Sequence, residues 1–266
     1  VSPGAHGSPA HVEYVLRLGD NALVLGQRLA EWCGHGPVLE EDIALANIAL
    51  DLIGQARMLL GHAGRLEGRG RGEDELAYLR DPPEFRNATL VELPSSGPAS
   101  AGAASGDYAI TIVRNLFFSA YQCAQWRALA ASTDRELAAI AEKSLKEARY
   151  HLRHAADWTI RLGDGTDESH ARTQHALDAL WAYTHELFEV DAVETAVAQH
   201  GIGVASASLR VGWLETLHPI VAEATLELPA DSAFRSTGKL GRHSEHLGYL
   251  LAEMQSLHRR YPGATW

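Results

Sequence analysis

An all-α fold, a ferritin-like four-helix bundle with additional C-terminal helices, is predicted by three observations. Apolar residues recur at helical spacing through four long segments, strand signals are nearly absent, and a long Gly/Pro-rich connection separates the second segment from the third. Helix one covers Glu13 to Trp32, where Leu16, Val24, Leu25 and Leu29 share the helical period and Gly34, Gly36 and Pro37 stop it. Helix two opens with Glu40, Glu41 and Asp42, acids that favour a helix N-terminus, and continues from Ile43 to Leu60 until Gly61 and Gly64. The short link makes these two antiparallel. Residues 67–106, with Gly68, Gly70, Gly72, Pro82, Pro83 and Pro94, form the crossover. Asp107 to Ala131 is helix three. Helix four begins at Thr133 and Asp134 and runs to about Leu162, ending at Gly163. Three further helical segments, roughly Ala171–Gln199, Ser208–Leu228 and Leu240–Tyr261, follow without a Gly/Pro/Ser-rich linker. Residues 11–266 are therefore read as one domain behind a disordered tail over residues 1–10, with a flexible insertion over 95–106.

Composition narrows the function classes. Of 266 residues, 34 are acidic and 23 basic, a formal charge of −11 that argues against nucleic acid or an anionic membrane surface as partner. No apolar run is read as long enough to span a bilayer. Cys33 and Cys123 each sit in an apolar helical segment, where a buried free thiol is the usual state, which fits a reducing cytoplasm. No Gly-rich phosphate loop, CxxC pair or Ser/His/Asp context is present.

The segment Glu147–Ala148–Arg149–Tyr150–His151 almost spells a di-iron helix. Such a bundle supplies a Glu from each of two helices and, from each of the other two, a Glu followed three residues later by a His. Here Ala148 stands three residues before His151, and Glu147 is one position early, a rotation of roughly 100° on an ideal helix. On helix two, Asp51 is followed three residues later by Gly54, which offers no ligand. The expected degenerate site comprises Asp20, Asp51, Gly54, Gln122, Lys146, Glu147, Ala148 and His151, with Gln27, Gln55, Gln125, Lys143, Tyr150 and His154 also facing the axis. An ammonium from Lys143 or Lys146 could stand where a cation stood and pair with Asp20, Asp51 or Glu147. The bland alternative makes both lysines solvated surface residues. His243 and His246 flank Glu245, but no third and fourth zinc ligands accompany them. Arg242, His243, Glu245, His246 and His35 are instead candidate partner contacts.

Longer stretches carry a resemblance. LGDNA at 18–22, EWCGHGP at 31–37, EDIALANIALDLIGQAR at 41–57, Phe85–Arg86–Asn87 with Leu90–Val91–Glu92, KSLKEARYHLR at 143–153 and GRHSEHLGYLLAEMQ at 241–255 are similar to the C-subunit family of the bacterial phenylacetyl-CoA epoxidase, a multicomponent ring oxygenase of phenylacetic acid degradation. The tract from Ser95 to Ser105 departs from that family in length and alanine content. The resemblance implies a non-catalytic bundle that pairs with a di-iron A subunit binding the CoA thioester. It also implies a small B subunit and a reductase carrying flavin and an iron–sulfur cluster, with no cofactor in this chain, and homodimerisation is an option when the partner is missing. Two alternatives stand beside it: a self-sufficient di-iron oxidase or oxygenase using Asp20, Asp51, Glu147 and His151, and an oligomerising or iron-storing ferritin-like bundle.

Overall fold

A computed structural model describes residues 7–97 and 106–264. It is 73% helical and, among the described residues, has ten α-helices and no strand, only an isolated antiparallel bridge between Thr237 and Arg242. The bundle consists of α1 (Pro9–Ala30), α2 (Leu39–Glu67), α5 (Tyr108–Leu129) and α6 (Arg135–Gly163). The crossover between α2 and α5 contains α3 (Glu73–Tyr78), α4 (Thr89–Glu92) and a 3₁₀ turn at Pro82–Glu84. Beyond the bundle lie α7 (Asp167–Thr184), α8 (Ala192–Gln199), α9 (Arg210–Glu223) and α10 (Glu245–Arg260). α1 pairs with α2, α5 with α6, and α2 also lies against α6.

Several boundaries differ from the sequence expectation for identifiable reasons. Ser8 caps α1 by accepting from the His11 backbone N–H at 3.2 Å, with Pro9 in the first turn, so the helix starts inside the stretch expected to be disordered. Residues 1–6 of that tail, and 98–105 of the expected insertion, lie outside the described residues. Gly61 and Gly64 do not stop α2. A Cβ at Gly64 would run into the Arg71 carbonyl, so this glycine permits close passage of the returning chain, and the helix ends at Gly68 in the left-handed region, φ 69°. The segment expected over Ala171–Gln199 is broken by a 3₁₀ turn at His185–Phe188 into α7 and α8.

α5 is buried almost all round, as a helix without a polar face must be. Phe117, Phe118 and Trp126 are fully buried on it, and Trp213 of α9 stacks at 5.5 Å on Trp181 of α7 while donating its indole N–H to the Phe117 carbonyl at 2.9 Å. Each such side chain contributes on the order of 1.5–3 kcal/mol. α6 presents a narrow buried stripe of Leu137, Ile140, Ala141, Ser144, Ala148, His151, Ala155 and Thr159. Arg114 on α5 is fully buried and donates to the Leu93 carbonyl. Burial, with Arg28 nearby, pushes its guanidinium down to about 10.

Buried carboxylates tie the added elements to the bundle. Asp20 on α1 pairs with the Arg80 guanidinium, with Nη1 at 3.0 Å, and accepts from the Arg86 backbone N–H at 2.8 Å. Glu92, fully buried, accepts from Asn87 at 2.8 Å and from the Ser244 N–H at 2.6 Å, and pairs with His243 Nδ1 at 2.7 Å. Glu186 holds the Thr89 and Lys239 backbone N–H groups at 2.9 and 2.7 Å. The C-terminal helices are thereby continuous with the bundle's polar interior.

One of these clamps is pH-sensitive. Burial lowers the affinity of the His243 imidazole for a proton, but the Glu92 carboxylate and the Phe85 carbonyl outweigh it, so its folded pKa is raised. A raised pKa contributes stability that is complete below the unfolded value near 6.5 and is lost as pH rises through the folded value. His243→Gln should therefore cost more stability at pH 5.5 than at pH 9. Urea denaturation of both proteins at the two pH values checks this, and an equal cost would remove the charge from the account.

Candidate functional site

Several polar residues of the bundle interior meet along the contact between α2 and α6. Gln55 and Asp51 on α2 face Glu147 and His151 on α6, because residues four apart stack on one helix face. Gln55 Nε2 donates to Glu147 Oε2 at 2.9 Å, and Gln122 on α5 reaches Gln55 Oε1 at 3.4 Å. His151, 3% exposed, pairs through Nε2 with Asp51 Oδ2 at 3.0 Å. At the start of α2, Glu41 accepts from the Tyr108 hydroxyl at 2.5 Å and meets His154 Nε2 at 2.8 Å. Burial pushes the Glu41 carboxyl up, but Tyr108, His154 and Trp158 prevail and hold it below the usual range. The Tyr108 hydroxyl is raised by burial and by the same carboxylate.

The expected positions are only partly brought together. Asp51, Gln122, Glu147 and His151 lie along this seam, whereas Asp20 is engaged by Arg80 and Arg86 of the crossover. Ala148 is fully buried. Gly54 sits at the seam's edge, where an added Cβ would meet nothing within 4 Å. The lysine expectation is corrected: Lys143 and Lys146 are exposed, and Lys143 approaches Glu147 only at 3.9 Å, because residues 143 and 146 fall on the solvent side of the α6 stripe. Tyr150, 46% exposed, likewise leaves the axis. Gly54→Ala should raise stability by about 0.5–1 kcal/mol, since it removes a mid-helix glycine without a clash. A lower thermal midpoint would show that the open space is needed.

Of the candidate partner contacts, His35, Arg242 and Glu245 are exposed and His246 is half-buried, its carbonyl accepting from Arg28 Nη2 at 2.9 Å. His243 is withdrawn from that set, because it faces Glu92 and the Phe85 carbonyl. Cys33 is exposed rather than buried. Cys123 is buried, and burial pushes its thiol up to about 11. One described helix, α2, is long and apolar enough to cross a membrane, contrary to the sequence expectation, yet it packs in the bundle and carries Asp51 and Gln55. Sequence reasoning misses Glu41 and Tyr108 as a pair, since Glu41 reads as an ordinary first-turn acid, and misses Arg80 inside the crossover.

The donor set of the seam does not fit a di-iron centre. It offers Asp51, Glu147, a distant Glu41 and the imidazoles of His151 and His154, and each of these is already committed to a hydrogen-bond partner. A di-iron site uses four carboxylates and two imidazoles aimed at one place. The arrangement can order packing and hold protons.

Residues 3–266 match the family model described as phenylacetic acid catabolic protein. The chain belongs to this family. The C subunit of the 1,2-phenylacetyl-CoA epoxidase of Escherichia coli (strain K12) is 49% identical to it over 253 residues, which cover 95% of this chain and 98% of that relative. A member of this family thus carries, between α2 and α6, a seam of mutually hydrogen-bonded polar side chains.

Proposed function

We propose that the chain is the non-catalytic bundle subunit of a multicomponent phenylacetyl-CoA epoxidase in phenylacetate degradation, and that it acts by pairing with the di-iron subunit. The observation that carries this reading is the seam itself: Glu147 bound by Gln55, His151 bound by Asp51, and a fully buried Ala148 where a ligand would be spelled. Similarity over nearly the whole chain to an epoxidase C subunit supports it. On this reading the iron belongs to the partner, this chain binds no cofactor of the oxygenase, and a small subunit and a flavin and iron–sulfur reductase complete a cytoplasmic assembly. A subunit that binds the folded partner stabilises it by mass action, without chemistry of its own.

The surface for that pairing is the outer side of α2. Leu39, Ile43 and Leu50 are 72%, 53% and 65% exposed on one helix face, an apolar stripe whose contact with water a partner would relieve. Beside it, α6 exposes Lys143, Lys146, Arg149 and Arg153 on an otherwise acidic chain, which suits an acidic rim on the partner. Co-expression with the catalytic subunit and affinity purification tests the proposal: a stable complex with phenylacetyl-CoA-dependent oxygen uptake, absent for either subunit alone, is expected. Activity from this chain by itself would overturn it. Leu50→Asp should abolish co-purification while shifting the isolated chain's stability by less than about 0.5 kcal/mol, as exposed substitutions do. Retained pairing would move the interface elsewhere.

A further inference from the structure

A second cluster of ligand-type side chains lies at the far end of the α2–α6 contact, away from the seam. His11 from the first turns of α1, His62 from the last turns of α2 and Asp134 at the start of α6 bring their ligand atoms within 4.8 Å of one another. His11 Nε2 and His62 Nε2 point at the same carboxylate oxygen, Asp134 Oδ2, at 2.8 and 2.6 Å. The other oxygen, Oδ1, caps α6 by accepting from the Glu136 and Leu137 N–H groups at 3.0 and 3.1 Å. The three side chains are between 6% and 11% exposed.

The placement of the second ring nitrogen of His62 is what sets this cluster apart. Its Nδ1 lies 3.2 Å from Glu136 Oε2, off the line of a good hydrogen bond, so the ring is held between two carboxylates. A neutral imidazole has one N–H and one lone pair. With Nδ1 turned to Glu136, whose other oxygen is held by Arg65, His62 Nε2 is aimed together with His11 Nε2 at Asp134 Oδ2, where a cation could be received between them. Metal-bound histidines have the arrangement seen here: one nitrogen on the metal and the other N–H turned to a carboxylate that fixes the tautomer. We propose that His11, His62 and Asp134 form a mononuclear zinc-class site, with Glu136 as the positioning residue behind His62. Ligand atoms around a tetrahedral zinc stand about 3.3 Å apart, so the present contacts need to open by roughly half an ångström. A zinc held by these three side chains would take a water as its fourth ligand. The ion would clamp the beginning of α1, the end of α2 and the beginning of α6 together, independently of any role in the epoxidase.

The test uses the full chain, stripped with chelator and titrated with Zn²⁺ or Co²⁺. One ion per chain, a Co²⁺ spectrum of tetrahedral intensity and a higher thermal midpoint with Zn²⁺ are expected. His11→Gln and Asp134→Asn, checked for native helicity by circular dichroism, should weaken binding at least 100-fold, and Glu136→Gln by about 10–100-fold. His151→Ala, in the seam, should bind as the unaltered chain does. No binding by the unaltered chain would overturn the proposal. Binding that survives His11→Gln, is lost with His151→Ala, or shows a weak octahedral Co²⁺ spectrum would also overturn it.

Discussion

Asp20→Ala is expected to cost about 3–5 kcal/mol of folding stability, the largest loss from any single truncation at the α1–crossover junction. Asp20 is fully buried and Arg80 3% exposed, so removing the carboxylate strands a guanidinium that water cannot reach. The remaining partners of Arg80 are neutral: its Nε donates to the Leu76 carbonyl, Nη1 donates to the Glu84 carbonyl at 3.1 Å, and its plane lies 4.2 Å from the Phe85 ring centroid. None of them replaces a negative charge. The effect reaches further because the Arg80 carbonyl accepts from Gln255 and Arg259 on α10, both at 2.9 Å, so the C-terminal helix docks on the backbone that this pair fixes. Urea denaturation followed by circular dichroism measures the loss, and a value under about 1 kcal/mol would sink the argument. The double variant Asp20→Leu with Arg80→Met separates the charge from the shape. It removes both ions and should recover most of the loss, because the cost lies in the uncompensated charge rather than in the contact.

The same pair shows why some of this molecule is legible in the sequence and some is not. Helices announce themselves through residues three and four apart, so α1, α2, α5 and α6 follow from Leu25 and Leu29, Leu45 and Ile48, Phe117 and Tyr121, Leu137 and Ala141. Asp20 and Arg80 are 60 positions apart, and Glu92 and His243 are 151 apart; no periodicity links them, and their pairing appears only when the chain closes. The crossover is ordered by these distant carboxylates and not by local propensity, which is why its Gly and Pro content reads as loop while α3 and α4 form within it. Gly64 misleads for a similar reason, since the space it frees is filled by Arg71 of the returning chain. In the seam, the misspelling at Ala148 and Gly54 is a matter of local spacing and is readable, whereas the orientation of Lys143 and Lys146 depends on which side of α6 the bundle covers. His11 and His62 carry no local signal, because one lies beside a stretch that reads as disordered tail and the other beyond the expected end of α2. Asp134 is visible only as a helix start.

Restoring the missing ligand spelling should not restore an iron site. Ala148→Glu with Gly54→His would write a Glu followed three residues later by His151 on α6, and Asp51 followed three residues later by a His on α2. On sequence alone that repairs both helices. Ala148, however, has no exposed surface, and Ala141 and Ala155, seven residues to either side on the same stripe, are equally enclosed. Overpacking costs typically 1–3 kcal/mol, and an ionised carboxylate brought into that position without partners adds several more. The existing polar groups compete as well: Asp51 is held by His151 and Glu147 by Gln55, and both pairs would have to break before either carboxylate could face a metal. The expected result is a chain destabilised by at least about 3 kcal/mol that binds no iron pair, measured by thermal unfolding and elemental analysis after growth in iron-rich medium. Gly54→His alone should be tolerated, because its Cβ points into open space. A double variant that keeps its stability and retains two irons would mean that the seam can open, and that the absence of two side chains, rather than the packing around them, is all that separates this bundle from a metal centre.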